Sequence, residues 1–345
     1  MRRIGAALTG MVVVLALSVA PMAQAVPIMS GDPQTECVWN ANYDPAPFMQ
    51  EHQASILRLV VTSVHPDGVV EDGRMVIPPY AQALAGEMAC VRNAQAEGYP
   101  VVISFEFPNT WLPPQVAEWF GQVLPDFPNL WGVGIGNEQD LQYSEYGEIP
   151  PSLVTVPAGS DTTTYTVKEV VSYQTHKSTK WVWVRRHKHR RRVRRVLTTR
   201  VRNLSYEVDP QTTTLQTTIT RPASAAEQYR LDYDAAEPVV ASLEPGAQIS
   251  FGNAYPFGQQ FILDAWAFGG RPAGVDAISI SGYWLGGIPP LAAFARLQGL
   301  PLWVPEDNPN GPGGDGSTTQ PPDWQARWDA AVAQAPNWTL DDFYS

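Results

Sequence analysis

Two glutamates in this chain end apolar runs of the kind that form buried strands. In WGVGIGNEQD, Trp131 to Asp140, the run passes through Gly136 and presents Asn137 and Glu138. In LPLWVPEDNPNG, Leu300 to Gly311, a second run ends in Glu306 and opens into a loop rich in Pro, Gly and Asn. A pair of carboxyl groups can break a glycosidic bond: one protonates the departing oxygen while the other attacks or stabilises the anomeric carbon. A carboxyl separation of about 5 to 5.5 Å gives retention of configuration. A third carboxylate, Glu106 in VVISFEFPN, also ends an apolar run. Its earlier place in the chain suits substrate binding or plain structure better than catalysis.

Carboxylates on separate runs cooperate only if those runs end on the same side of one sheet. Short β-branched or aromatic runs alternate here with amphipathic stretches, which argues for a parallel sheet with helices outside it. Strands are expected at Val26–Met29, Ser55–Val61, Tyr99–Phe105, Trp131–Ile135, Gln248–Gly252, Ala277–Ser281, Pro301–Pro305 and Asn337–Leu340. Helices are expected at Pro79–Glu97 and Pro114–Val123, among others. Eight strands suffice to close an α/β barrel of the (β/α)8, or TIM, type, whose active sites lie at the C-terminal ends of the strands.

Residues 151–222 break this rhythm. They hold 14 of the 23 Lys and Arg but only four acids, leaving 9 basic and 30 acidic residues elsewhere, so the net charge of −11 hides an acidic body and a basic insert. The alternation of Thr or Val with Lys or Arg has a period of two, which predicts a β-ribbon or hairpin inserted after the fourth barrel strand. That divides the chain into residues 1–25, a first half-barrel at 26–150, the basic β-rich insert at 151–222 and a second half-barrel at 223–345. Discounting an insert of roughly 70 residues leaves about 100 between Glu138 and Glu306, the length of three βα units at about 30 residues each.

At these residues the sequence resembles the large clan of (β/α)8-barrel glycoside hydrolases that includes cellulases, mannanases and β-glucosidases. Its members place an Asn-Glu pair at the end of strand four and a second Glu at the end of strand seven. The resemblance covers about Val26–Pro150 and Ala223–Leu340. It implies that Glu138 is the acid/base, that Glu306 is the nucleophile, and that Asn137 bonds the sugar 2-hydroxyl. It further implies that Arg58, in LRLVV, and Tyr283, in SISGYW, support the nucleophile, and that Trp338 is the aromatic platform of strand eight. Trp284, beside Tyr283, is the best stacking candidate among Trp111, Trp131, Trp303 and the others. The eighth-strand region, NWTLDDFYS, is poorer in aromatic residues than the clan's usual motif, and no His follows the Asn-Glu pair.

The expected activity is therefore that of a retaining hydrolase of O-glycosidic bonds in β-linked glycans. The alternative is a carbohydrate- or surface-polymer-binding protein on a degenerate barrel. No cofactor is called for, and Cys37 and Cys90 lack the clustered spacing of a zinc site. They could form one disulfide or remain two buried thiols. Arg2 and Arg3, an apolar run and Ala23-Gln24-Ala25 read as a secretory signal peptide over residues 1–25, so the folded body is expected outside the cell. The basic run Arg185 to Arg202 could neutralise phosphates. In an exported protein, an anionic glycan or cell-envelope polymer is the more accessible partner, and nucleic acid is disfavoured. His187 and His189 sit among like charges, which disfavours a metal site.

Overall fold

The computed structural model describes residues 28–63, 69–71, 74–76, 79–140, 149–156, 161–186, 189–214, 219–254, 258–281, 287–307 and 324–344. The expected signal peptide lies outside them. Eight strands close a barrel: β1 (Ile28–Asp32), β2 (Ile56–Thr62), β5 (Val101–Glu106), β6 (Gly132–Ile135), β11 (Gln248–Ala254), β12 (Ala277–Ile280), β13 (Leu302–Asp307) and β14 (Trp338–Tyr344). Every pairing around the ring is parallel. All eight C-terminal ends therefore open on one face.

Strand alternation explains the two sides of this wall. In β2 and β5, Leu57, Leu59, Val61, Val101, Ile103 and Phe105 join the large core under the helices. Their neighbours Ile56 and Val102 belong instead to a small cluster inside the barrel with Ala277, Trp303 and Leu340. Trp131 stacks on Trp303 there, with centroids 5.3 Å apart. The GVGIG run of β6 obeys the same rule. A Cβ on Gly132 would lie 3.0 Å from the Trp303 indole, and one on Gly134 would lie 3.0 Å from Ser104 Oγ. Val133 and Ile135 meanwhile face the helical layer. The interior is thus apolar toward the N-terminal ends and polar toward the mouth.

The helices are α1 (Gln34–Trp39), α2 (Ala46–Glu51), α3 (Tyr80–Ala96), α4 (Pro113–Val123), α5 (Ala225–Leu243), α6 (Gln259–Ala267), α7 (Ile288–Leu297) and α8 (Trp324–Gln334). A short hairpin, β3 (Val69–Glu71) with β4 (Arg74–Val76), follows β2. Cys37 and Cys90 are joined by a disulfide between α1 and α3. At that crossing a Cβ on Gly86 would come within 2.2 Å of Cys37 O, so only glycine lets the helices approach. Gln34 caps the short pairing of β1 with β2 by acting as a surrogate peptide group. Its Nε2 donates to Val60 O at 2.7 Å, and its Oε1 accepts from Val60 N at 2.9 Å.

Between β6 and α5 the chain forms two antiparallel pairs. The first is β7 (Leu153–Val156) with β10 (Ile219–Pro222), and the second is β8 (Asp161–Arg186) with β9 (His189–Thr214), in register from Asp161↔Thr214 to Arg186↔His189. Tyr165, Val167 and Val208, near the base of the long ribbon, pack on the barrel's outer core, the Tyr165 ring 5.3 Å from Phe294 of α7. The return strand is clamped to α5. Arg221 makes a bidentate pair with Glu227 at 2.6 and 2.7 Å, and Glu227 closes the capping box with Ser224. Gln228 accepts from Ser152 N at 3.1 Å and donates to Asp232 at 2.9 Å. Asp232 is fully buried, and burial pushes its carboxyl up to about 8, against the opposing hydrogen bond from Gln228.

Candidate active site

Four polar side chains meet at the mouth. Arg58 rises inside the barrel from β2 and donates from Nη1 to Asp32 Oδ2, at the end of β1, at 2.5 Å. Its Nη2 donates to Asn137 Oδ1 at 3.1 Å. Asn253 of β11 donates from Nδ2 to the same oxygen at 2.6 Å. Asp32, Arg58, Asn137 and Asn253 are all at least 93% buried, so the Arg58–Asp32 pair is desolvated and its strength rests on the hydrogen bonds around it. Because both donors converge on Oδ1, the amide of Asn137 has one orientation, with its NH2 edge turned away from Arg58 and Asn253.

The backbone around this cluster is bent to bring it together. Gly136 has φ +95°, and a Cβ there would meet Gln139 Cγ at 2.9 Å. Glu138 follows at φ +47°, and its N–H donates to Asn253 O at 2.6 Å. On β11 the register slips between Gly252 and Ala254, which inserts Asn253 as a bulge with φ +43°. Non-glycine residues in this region cost of order 1–3 kcal/mol and persist where the surroundings over-determine them. Here Asn253 is held by Ser279 Oγ, which accepts from its N–H at 2.9 Å, and by Gly136 O at 3.1 Å. Tyr229 of α5 bridges the same two strands: its hydroxyl donates to Ile135 O at 2.9 Å and accepts from Gly252 N at 2.8 Å.

Glu138 is half-buried, immediately beyond the end of β6. The backbone of Glu306 lies one residue before the end of β13 on the same face, three strand positions round the ring, with β11 and β12 between; its side chain is outside the described set. Between Val304 and Asp307, β13 uses one residue more than β14, a bulge of the kind that re-aims side chains beside active sites. Glu106 ends β5 on this face as well. Tyr283 and Trp284 lie outside the described residues. Trp338 is not at the mouth. It opens β14 at the opposite end of the barrel, is 1% exposed, packs on Trp328 of α8 and donates its indole N–H to Leu340 O at 2.8 Å. A platform needs an open ring face, and Trp338 is a core residue.

Asp32, Asn253, Ser279 and Tyr229 are absent from the reading of the sequence. Asn253 did carry a signal: QISFGN ends in Gly-Asn after an apolar run, as VGIGN does at Asn137.

No protein-family model matches the sequence, and no curated protein matches it. Among solved structures, the Ignisphaera aggregans GH53 catalytic domain is similar with a TM-score of 0.48 and 15% identity, over 92% of this chain and 84% of that one. A Cellulomonas fimi endo-beta-1,4-mannanase double mutant is similar with a TM-score of 0.46 and 9% identity. That match takes in 92% of this chain, which spans 64% of the mannanase chain.

Proposed function

We propose that the protein is an exported retaining glycoside hydrolase acting on β-linked glycans. The observation that carries this reading is the clamp on Asn137, next to Glu138. Arg58 and Asn253 fix the amide, whose NH2 edge in this reading donates to a sugar hydroxyl while the neighbouring Glu138 carboxyl protonates the glycosidic oxygen. Glu306 attacks the anomeric carbon as Glu138 gives its proton to the leaving oxygen, forming a covalent glycosyl-enzyme. Glu138, now a base, takes a proton from water, whose oxygen displaces Glu306 and restores the starting state. In this scheme Tyr283 supports the nucleophile, Trp284 stacks on a sugar ring, and residues 1–25 direct export. Among the described residues, no helix is long and apolar enough to cross a membrane.

The test is reducing-sugar release from a panel of β-linked polysaccharides and aryl glycosides, with the first-formed anomer read by NMR. Release with retained configuration is expected, falling by about 10²- to 10⁴-fold in Glu138→Gln, the usual scale of general acid–base catalysis. Glu306→Gln should abolish release. No release from any substrate, or undiminished release by the variants, would overturn the assignment.

A further inference from the structure

The two faces of the β8–β9 ribbon differ in a way its overall charge conceals. In an antiparallel pair, directly opposed residues share a face, and side chains alternate along each strand. The register pairs Tyr173 with Arg202, Lys177 with Thr198, Trp181 with Arg194 and Trp183 with Arg192. These pairs lie on one face, the continuation of the face that packs on the barrel through Tyr165, Val167 and Val208. Beyond that base the face is uncovered: Tyr173, Trp181 and Trp183 are 54%, 56% and 67% exposed. Over the same stretch the opposite face carries His176, Lys180 and Arg195 among Gln, Ser, Thr, Val and Leu, with no Trp, Tyr or Phe.

Guanidinium groups stand over two of the rings, Arg192 over Trp181 at 5.6 Å and Arg200 over Tyr173 at 4.9 Å. Both of these rings are more than half exposed, with a cation beside each. Tyr173 and Trp181 are eight residues apart on one strand, about 26 Å at about 3.3 Å per residue, so a ligand touching both must be a chain of several units. The rest of the protein repels polyanions, since 30 of its 34 acidic residues lie outside residues 151–222.

We propose that this face binds a linear acidic polysaccharide, with sugar rings on the aromatic faces and carboxylates or sulfates on the adjacent arginines. The choice of a saccharide over other polyanions rests on the glycosidase reading of the barrel; the ribbon would hold the polymer on the molecule that cuts it.

Affinity electrophoresis of the full chain in gels containing polygalacturonate or heparin tests this, with methyl-esterified polygalacturonate as the neutral polymer and oligothymidylate as a competitor. Retardation by an acidic polymer that weakens with salt is expected, with little by the ester. Trp181→Ala/Trp183→Ala and Arg192→Gln/Arg194→Gln should each weaken it about tenfold. Lys180→Gln/Arg195→Gln, the same loss of charge on the other face, should weaken it about twofold or less. Equal losses from the two faces, no effect of the Trp pair, equal retardation by the ester, or tighter binding of oligothymidylate would overturn the proposal. Glu138→Gln should bind as the wild type does. Retardation by the acidic polymers with no release from any member of the β-linked panel would leave the ribbon standing and remove the hydrolase, and release from that panel without retardation would do the reverse.

Discussion

Asn253 Nδ2 and Arg58 Nη2 converge on one atom, Asn137 Oδ1, at 2.6 and 3.1 Å. The first of these contacts exists because a bulge turns Asn253 of β11 toward β6; the second exists because Arg58 is itself held by Asp32. The residue before the proposed acid is thus fixed by three strands, and its function is open to separate tests.

Asn253→Gly removes the amide but tolerates φ +43°. With Asn137 held by Arg58 alone, kcat is expected to fall about 10- to 100-fold with a smaller change in KM. The unfolding free energy should fall by about 1–3 kcal/mol, the cost of a lost buried hydrogen bond. Steady-state kinetics beside urea unfolding separate the two effects, and unchanged kcat would remove Asn253 from the positioning machinery.

The Arg58–Asp32 pair is fully buried. Removing one member takes a buried, directly bonded partner from the other, so Arg58→Ala should cost about 3–5 kcal/mol in urea unfolding. Arg58→Met/Asp32→Leu should recover part of that loss, because both charges of the pair are gone, while activity stays low because Asn137 loses a donor. A double variant less stable than Arg58→Ala would contradict this account.

Trp338→Ala should act on stability and not on substrate. Truncating a buried Trp typically costs about 3–5 kcal/mol. Below the new melting point, KM for an aryl glycoside should match the wild type. A raised KM with unchanged Tm would return Trp338 to the binding site.

Asp232, pushed up to about 8 by burial, keeps a proton in the folded chain that the unfolded chain releases. From about pH 4 to pH 8 the folded state binds more protons than the unfolded one, so this residue makes stability fall as pH rises through that window and level off above it. Asp232→Asn should therefore raise Tm at pH 8 by several degrees and change it little at pH 4. An equal gain at both pH values would show that ionisation is not the cause.

Much of the architecture was legible in local pattern. The expected helices Pro79–Glu97 and Pro114–Val123 meet the observed Tyr80–Ala96 and Pro113–Val123 within a residue. Gly alternating with Val and Ile in GVGIG states which side of β6 faces inward, because only glycine fits against Trp303 and Ser104. The charge imbalance of residues 151–222 was also plain in composition. The edges of elements were less so. The first and last strands run on to Asp32 and Tyr344, because pairing between β1 and β14 lengthens both, and that pairing closes the ring.

What the sequence by itself determined was therefore the alternation that builds a barrel wall, the Asn-Glu pair at the end of one strand, and a second Glu at the end of another. Only the tertiary structure decided what meets them. Arg58 and Asn137 are 79 residues apart, and Asn253 lies 116 residues beyond Asn137. A one-residue bulge, which no local propensity specifies, aims Asn253 inward, while Trp338, at the wrong end of its strand, joins the core. Periodicity is a property of neighbours along the chain, so the sequence displays it. Register and depth arise from neighbours across the barrel, and they are set only when all eight strands close.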